Sequence, residues 1–190
     1  MNPPLRSDAA APKTPLVFET VYRQHFEFVY RSAARLGGPG FDAEDAAQEV
    51  FMVVGRQLDR FDHRCAVTTW LYGITINVAR NQRRKLRLRR WFEWSVKAPD
   101  VPALRSVDRA EVLDAQRIAY EILDKMNTKK REVFILAELE ELSCDEIARI
   151  VGSKTETIWS RLHYARSEFA ERLARHEASR TSAGTARSGR

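Results

Sequence analysis

Cysteine is scarce in this 190-residue chain: Cys65 and Cys144 stand far apart, with no CxxC pair and no His/Cys ladder. A disulfide framework and a structural zinc site have nothing to build on. Long apolar runs are also missing. The longest unbroken aliphatic or aromatic stretch, Val50 to Val54, falls far short of the roughly 18 residues that cross a bilayer, which argues against membrane insertion. The opening MNPPLRSDAAAPKTP lacks the apolar core of a secretory signal, so a cytoplasmic location is expected. Period-2 alternation is nearly absent, and apolar residues recur at three and four residue spacings. An all-α chain follows.

What is present supports folded cores: 44% of residues are apolar and 31% charged. Lys and Arg number 32 against 26 Asp and Glu, and the resulting charge of +6 favours an acidic partner such as nucleic acid. Residues 1–14, with Pro15 just beyond, and residues 177–190, rich in Ser, Thr, Ala, Gly and Arg, bury little apolar area and read as mobile tails. Two prolines interrupt the pattern at SVKAPDVPALRSVD, Ser95 to Asp108. The expected organisation is two small helical domains, 15–94 and 114–176, joined by a flexible linker at 95–113.

In the first domain Phe18, Val21, Tyr22, His25, Phe28 and Val29 form one helical stripe, ended by Gly37-Gly38-Pro39-Gly40. Asp42 caps a second helix, with Glu44 and Asp45 beside the positive end of its dipole. A third starts near Thr69 with Trp70, Leu71, Ile74 and Val78 inward. The second domain has helices around 117–126 and 128–141, the latter with Val133, Phe134, Leu136 and Leu139 apolar. Ser143 and Glu146 then have capping-box spacing before Ile147, Ile150 and Val151, and Gly152 ends that helix. Ser153 and Glu156 repeat the spacing before a longer helix that buries Ile158, Leu162, Ala165, Phe169 and Leu173. Helix, glycine turn, helix makes a helix-turn-helix.

Seven cations and no acid occupy Arg80 to Arg90, followed by Trp91, Phe92 and Trp94. That exceeds what a helix dipole accommodates and suits a phosphate backbone. The aromatics either stack on unpaired bases or close a core. Asn77, Arg80, Asn81 and Arg84 share a face on which amides can read base edges while guanidinium groups hold phosphates, and Arg83 belongs to the same basic run. The preceding loop, with Phe61, Asp62, His63, Arg64 and Thr68, is placed to hold an extruded base. Asp45, Gln48 and Glu49 share a face of an acidic helix free of Lys and Arg from 42 to 49, which fits docking to a basic partner. A two-metal nuclease would need a nearby His or a second carboxylate cluster, and neither is evident. On the last helix Thr155, Thr157, Trp159, Ser160, Arg161, His163, Tyr164 and Arg166 form the outward side, and such a helix projects its N-terminal residues into a major groove. Trp159 either packs on a neighbouring domain or contacts DNA. No catalytic residue, metal ligand or cofactor site is expected.

Several segments, in order, carry a family resemblance: Asp42-Ala-Glu-Asp-Ala-Ala-Gln-Glu-Val-Phe51, Thr69-Trp-Leu-Tyr72 with Asn77, Arg131-Glu-Val-Phe134, and Leu142-Ser-Cys-Asp-Glu-Ile-Ala148 leading to Ser160-Arg-Leu162 and Ala165-Arg166. Over about residues 15–176 the chain resembles an extracytoplasmic-function (ECF) sigma factor, a specificity subunit of bacterial RNA polymerase. The resemblance implies sigma domain 2 at 15–94 and sigma domain 4 at 114–176. Asp45, Gln48 and Glu49 would dock on the clamp helices of the largest polymerase subunit. Phe61, Arg64, Thr68, Thr69, Trp70, Asn77, Arg80, Asn81, Arg83 and Arg84 would bind and melt the promoter −10 element. Thr155, Thr157, Trp159, Ser160, Arg161, His163, Tyr164 and Arg166 would read the −35 element. An anti-sigma factor that clamps both domains is implied as well, and no enzymatic activity of the chain's own. Gly73 and Ile76 stand where similar proteins often have Arg, Glu156 replaces a frequent Gly, and Trp159 and Tyr164 take places where a basic residue is common. The rival readings are a dimeric helix-turn-helix repressor acting without polymerase and a helical nuclease built on the acids from Asp42 to Glu49.

Overall fold

The computed structural model describes residues 16–93 and 107–188. The expected tail at 1–14 and the first part of the linker, 95–106, lie outside them. Seven α-helices follow in order: α1 Phe18–Gly37, α2 Ala43–Gln57, α3 Val67–Glu93, α4 Val107–Asp124, α5 Thr128–Glu138, α6 Cys144–Val151 and α7 Thr155–Ser188. A short 3₁₀ turn, Leu58–Arg60, follows α2, and no strand occurs among the described residues.

The first three helices pack on one another because each carries an apolar stripe at helical spacing. From α1, Val21, Phe28, Val29, Ala33 and Leu36 are buried, while Tyr22 turns outward. Its ring nonetheless meets Phe51 of α2 edge-on, with centroids 4.7 Å apart. Asp42 caps α2 as expected, its carboxylate accepting the Asp45 N–H at 2.9 Å. Small Ala46 and Ala47 are fully buried and let the neighbouring helices approach closely. Leu71, Tyr72, Ile74 and Val78 form the inward side of α3; Trp70 is half-buried.

In the second module the Ser143–Glu146 capping box is made in both directions, and Gly152 ends α6 in the left-handed conformation at φ 64°. Ile158, Leu162 and Ala165 of α7 are buried against α5 and α6, and Phe169 stacks on Phe134 at 4.6 Å. Helix α7 starts at Thr155, so no Ser153–Glu156 box forms; the Lys154 carbonyl accepts the Ile158 N–H instead.

Three boundaries differ from the sequence reading. Helix α3 begins at Val67 rather than Thr69. Helix α4 begins at Val107, inside the segment read as linker to 113, because after Pro102 neither Gly nor Pro stops helix growth. Helix α7 continues to Ser188 through the segment read as a tail, where Ala and Arg are good helix formers and no proline intervenes.

A larger difference concerns the arrangement of the modules. Expected as flexibly tethered units, they pack together, and buried residues of both belong to one hydrophobic cluster. Helix α6 lies against α3, where a Cβ added at Gly73 would sit 3.6 Å from the Ile150 carbonyl oxygen. The ring of Tyr120 from α4 covers Gly38 so closely that a Cβ there would come within 2.6 Å of it. With φ at 85°, Gly38 meets both demands that only glycine satisfies.

Candidate nucleic-acid and polymerase interfaces

Asp45 and Gln48 of α2 are exposed and Glu49 is half-buried, and no described cation pairs with the two acids. Gln82 of α3, itself buried, donates to Asp45 Oδ2 and Glu49 Oε2 at 2.9 Å each. This amide holds both carboxylates in place without neutralising them, so the face keeps its negative potential. Met52, four residues after Gln48, is exposed on the same side. The sequence reading missed Met52 and Gln82.

Phe61, His63 and Trp70 form an aromatic group at the start of α3, with Phe61 4.9 Å from Trp70 and 4.8 Å from His63. In that loop His63 has φ 57°, and Asp62 turns back to accept the Arg64 N–H. The Arg64 side chain is well exposed beside Asp62, at 3.1 Å. Thr68 and Thr69 are half-buried in the first turn of α3. Asn77, Arg80, Asn81 and Arg84 are exposed along one face, as their spacing predicts, and Arg83 is half-buried beside it. The side chains of Trp91 and Phe92, and Trp94 altogether, lie outside the described residues.

Helix α7 divides its candidate residues between two sides. Thr157, Ser160, Arg161 and Tyr164 line an open groove of about 530 Å³ together with Asn127, Lys129 and Lys130 of the α5 N-terminus. Trp159 and His163 are exposed beside it, and Trp159, 60% exposed, packs on no described domain. Thr155 donates to Asp145 at 2.9 Å and Arg166 to Glu138 at 2.8 Å, so both are engaged within their own module. Lys129 and Lys130 escaped the sequence reading. Their signal is present nonetheless: cations in a first helical turn oppose the dipole and suit an anion placed there.

Charged residues tie the modules together. Arg80 of α3 makes a two-pronged contact to Glu132 of α5, 2.8 Å on each side, and that carboxylate raises the pKa of the guanidinium. Arg83 reaches Asp124 of α4 at 2.7 Å. The last carbonyls of α1, which have no partners within their own helix, are met from α3 and from the second module. Tyr120 donates to Arg35 O at 2.9 Å and Arg131 to Leu36 O at 2.7 Å, while Arg83 donates to Gly37 O. Glu140 accepts from Arg35 at 3.0 Å. Arg131, Glu132 and Glu140 are only 3%, 6% and 2% exposed. Burial first, and the neighbouring Arg83 charge second, lower the Arg131 pKa to about 10.

No group of three or more His, Cys, Asp or Glu side chains among the described residues is arranged to hold a metal ion. None of the helices they form is long and apolar enough to cross a membrane.

Comparison with known proteins decides the family. Residues 21–89 match the family model of sigma-70 region 2, and residues 116–169 match that of sigma-70, region 4. The ECF RNA polymerase sigma-E factor of Escherichia coli is 31% identical over 145 residues, covering 71% of this chain and 75% of that protein. The chain belongs to the ECF sigma factors. Helices α1 to α3 are its region 2 module and α4 to α7 its region 4 module. ECF RNA polymerase sigma factor SigE of Mycolicibacterium smegmatis is 31% identical over 163 residues, 84% of this chain, and the match spans 62% of that relative's length. Among solved structures, the sigma factor RpoE in complex with the anti-sigma factor NepR from Bartonella quintana gives a TM-score of 0.61 at 24% identity. It covers 83% of this chain and 96% of that one, a likeness of fold.

Proposed function

We propose that this ECF sigma factor binds core RNA polymerase through α2, engages the −10 element through the Phe61–Thr69 loop and the α3 face, and reads the −35 element through α7. The chain supplies recognition and the polymerase supplies nucleotide chemistry, so the factor has no catalytic step or cofactor of its own and works in the cytoplasm. The observation that carries this reading is the separation of three polar faces. Asp45, Gln48 and Glu49 keep an uncompensated negative face, Asn77, Arg80, Asn81 and Arg84 form a second face on α3, and Thr157, Ser160, Arg161 and Tyr164 line a third on α7. A conventional repressor has no use for the first. An anti-sigma partner fits too, since the solved neighbour from Bartonella quintana was captured with the anti-sigma factor NepR.

Reconstituted transcription tests it. Purified chain plus core polymerase is expected to start RNA at discrete sites on a genomic template library, with shared −10 and −35 sequences upstream of them, while neither component alone does so. Failure of the chain to bind active core polymerase overturns the reading.

A further inference from the structure

Helix α7 buries Ile158, Leu162 and Ala165, and helical spacing then sets where the other side chains of its first three turns stand. Two Arg residues and no Lys occur in those turns, and both are committed elsewhere. Arg161 is half-buried and lines the groove shared with Lys129 of α5, while Arg166 is held by Glu138 at 2.8 Å. Lys154 precedes the first turn, where phosphates meet a helix N-terminus. Guanine is read in the major groove by Arg or Lys donating to O6 and N7, and neither α7 cation is placed for that. Glu156, exposed in the first turn, offers only acceptors and meets the same guanine edge unfavourably. The His163 ring rests edge-on against Tyr164, with centroids 5.5 Å apart. Trp159 is left over: it is 60% exposed, with no hydrogen-bond or ring partner among the described residues.

A large apolar ring standing in water gains free energy when an apolar surface covers it. In duplex DNA the base edges of the major groove offer one such surface, the 5-methyl group of thymine. With phosphates held along the groove by Lys129 and Arg161, the adjoining side of α7 that carries Trp159 turns toward base edges. We infer that Trp159 is a specificity-determining residue that reads the 5-methyl group of thymine in the −35 element. The inference rests on the −35 role proposed above for α7 and gives that role a chemical class. Thymine is selected by apolar contact, and the neighbouring cations position the duplex without reading guanine.

The test uses holoenzyme assembled from the full-length chain and core polymerase, on a promoter duplex recovered by the reconstituted transcription. Each thymine of its −35 element is replaced in turn by deoxyuridine, which keeps every hydrogen-bonding group and removes only the methyl. Fluorescence anisotropy reads the affinity. At one or more positions the exchange is expected to weaken binding about fourfold, the change that ~0.8 kcal/mol produces and the amount a buried methyl group contributes. Trp159→Ala should bind the thymine and deoxyuridine duplexes alike, at the weaker level, and Trp159→Phe should restore the preference for thymine. Lys129→Ala should weaken both duplexes and keep that preference. A wild-type holoenzyme indifferent to every exchange, a preference that survives Trp159→Ala, or a −35 element without thymine overturns the inference. So does a loss of core binding on Trp159→Ala, which would assign the ring to the polymerase. Core binding and initiation, measured on the same samples, separate the two readings: a holoenzyme that initiates but is blind to the methyl defeats this inference alone, and a chain that does not bind core defeats the proposed function and this inference with it.

Discussion

Helices α3 and α7 carry the two candidate DNA faces, and their cations are engaged differently. On α3, Arg80 and Arg83 are paired with acids of the other module. On α7, Arg166 is paired inside its own module, and Arg161 lines a groove open to solvent with Lys129. The same residue types at similar helical spacing therefore differ in availability. Availability depends on tertiary partners, which local pattern does not encode. The α7 groove is open, while Arg80 and Arg83 of α3 are engaged by the other module.

The largest effects test whether the modules share one core. Leu71 of α3 and Leu136 of α5 are fully buried in the same cluster. Leu71→Ala and Leu136→Ala are each expected to cost about 2–5 kcal/mol, and scanning calorimetry should show a single transition that moves for both. Two transitions, each sensitive to only one variant, would break the picture of a joint core. Next comes the division of faces. Asp45→Arg should weaken core-polymerase binding tenfold or more and leave the affinity for single-stranded DNA within about twofold; Arg84→Ala should do the reverse, each reading a contact worth about 1–3 kcal/mol. Equal losses in both assays for both variants would deny that the faces are separate.

The groove on region 4 is expected to respond more modestly. Lys129→Ala should weaken duplex binding similarly across sequences and lower the salt slope by about one, the signature of a lost phosphate contact. Tyr164→Ala should instead change sequence preference. Smallest is the cap on α6: Ser143→Ala should cost about 1 kcal/mol in thermal or denaturant unfolding, with the −10 face unaffected.

Much of the fold was legible in the sequence because the signals were local. The Asp42 cap, the Ser143–Glu146 box and the Gly152 stop depend on residues within one turn, and each forms as read. The outward faces of α2 and α7 were legible for the same reason: helical spacing fixes which side chains share a side. The interface was not. Periodicity places charged residues outward, yet Arg131, Glu132 and Glu140 are buried, because the carbonyls that end α1, Arg80 of α3 and Arg35 of α1 respectively satisfy them across the chain. Leu139, read among the apolar residues of its helix, is exposed, and Glu140 beside it takes the buried place. The contacts at stake span as many as 105 residues of sequence, as between Arg35 and Glu140, beyond the reach of any local pattern.

The most direct measurement is the distance between the modules. In a chain carrying Cys65→Ser, spin labels at Gln24→Cys on α1 and Ala170→Cys on α7 occupy exposed positions away from the proposed faces; native Cys144 is buried. Double electron–electron resonance should give one short, narrow distribution for the free protein, and one longer by tens of ångströms when active core polymerase and promoter DNA are added. An unchanged short distance in a complex that transcribes would contradict the account.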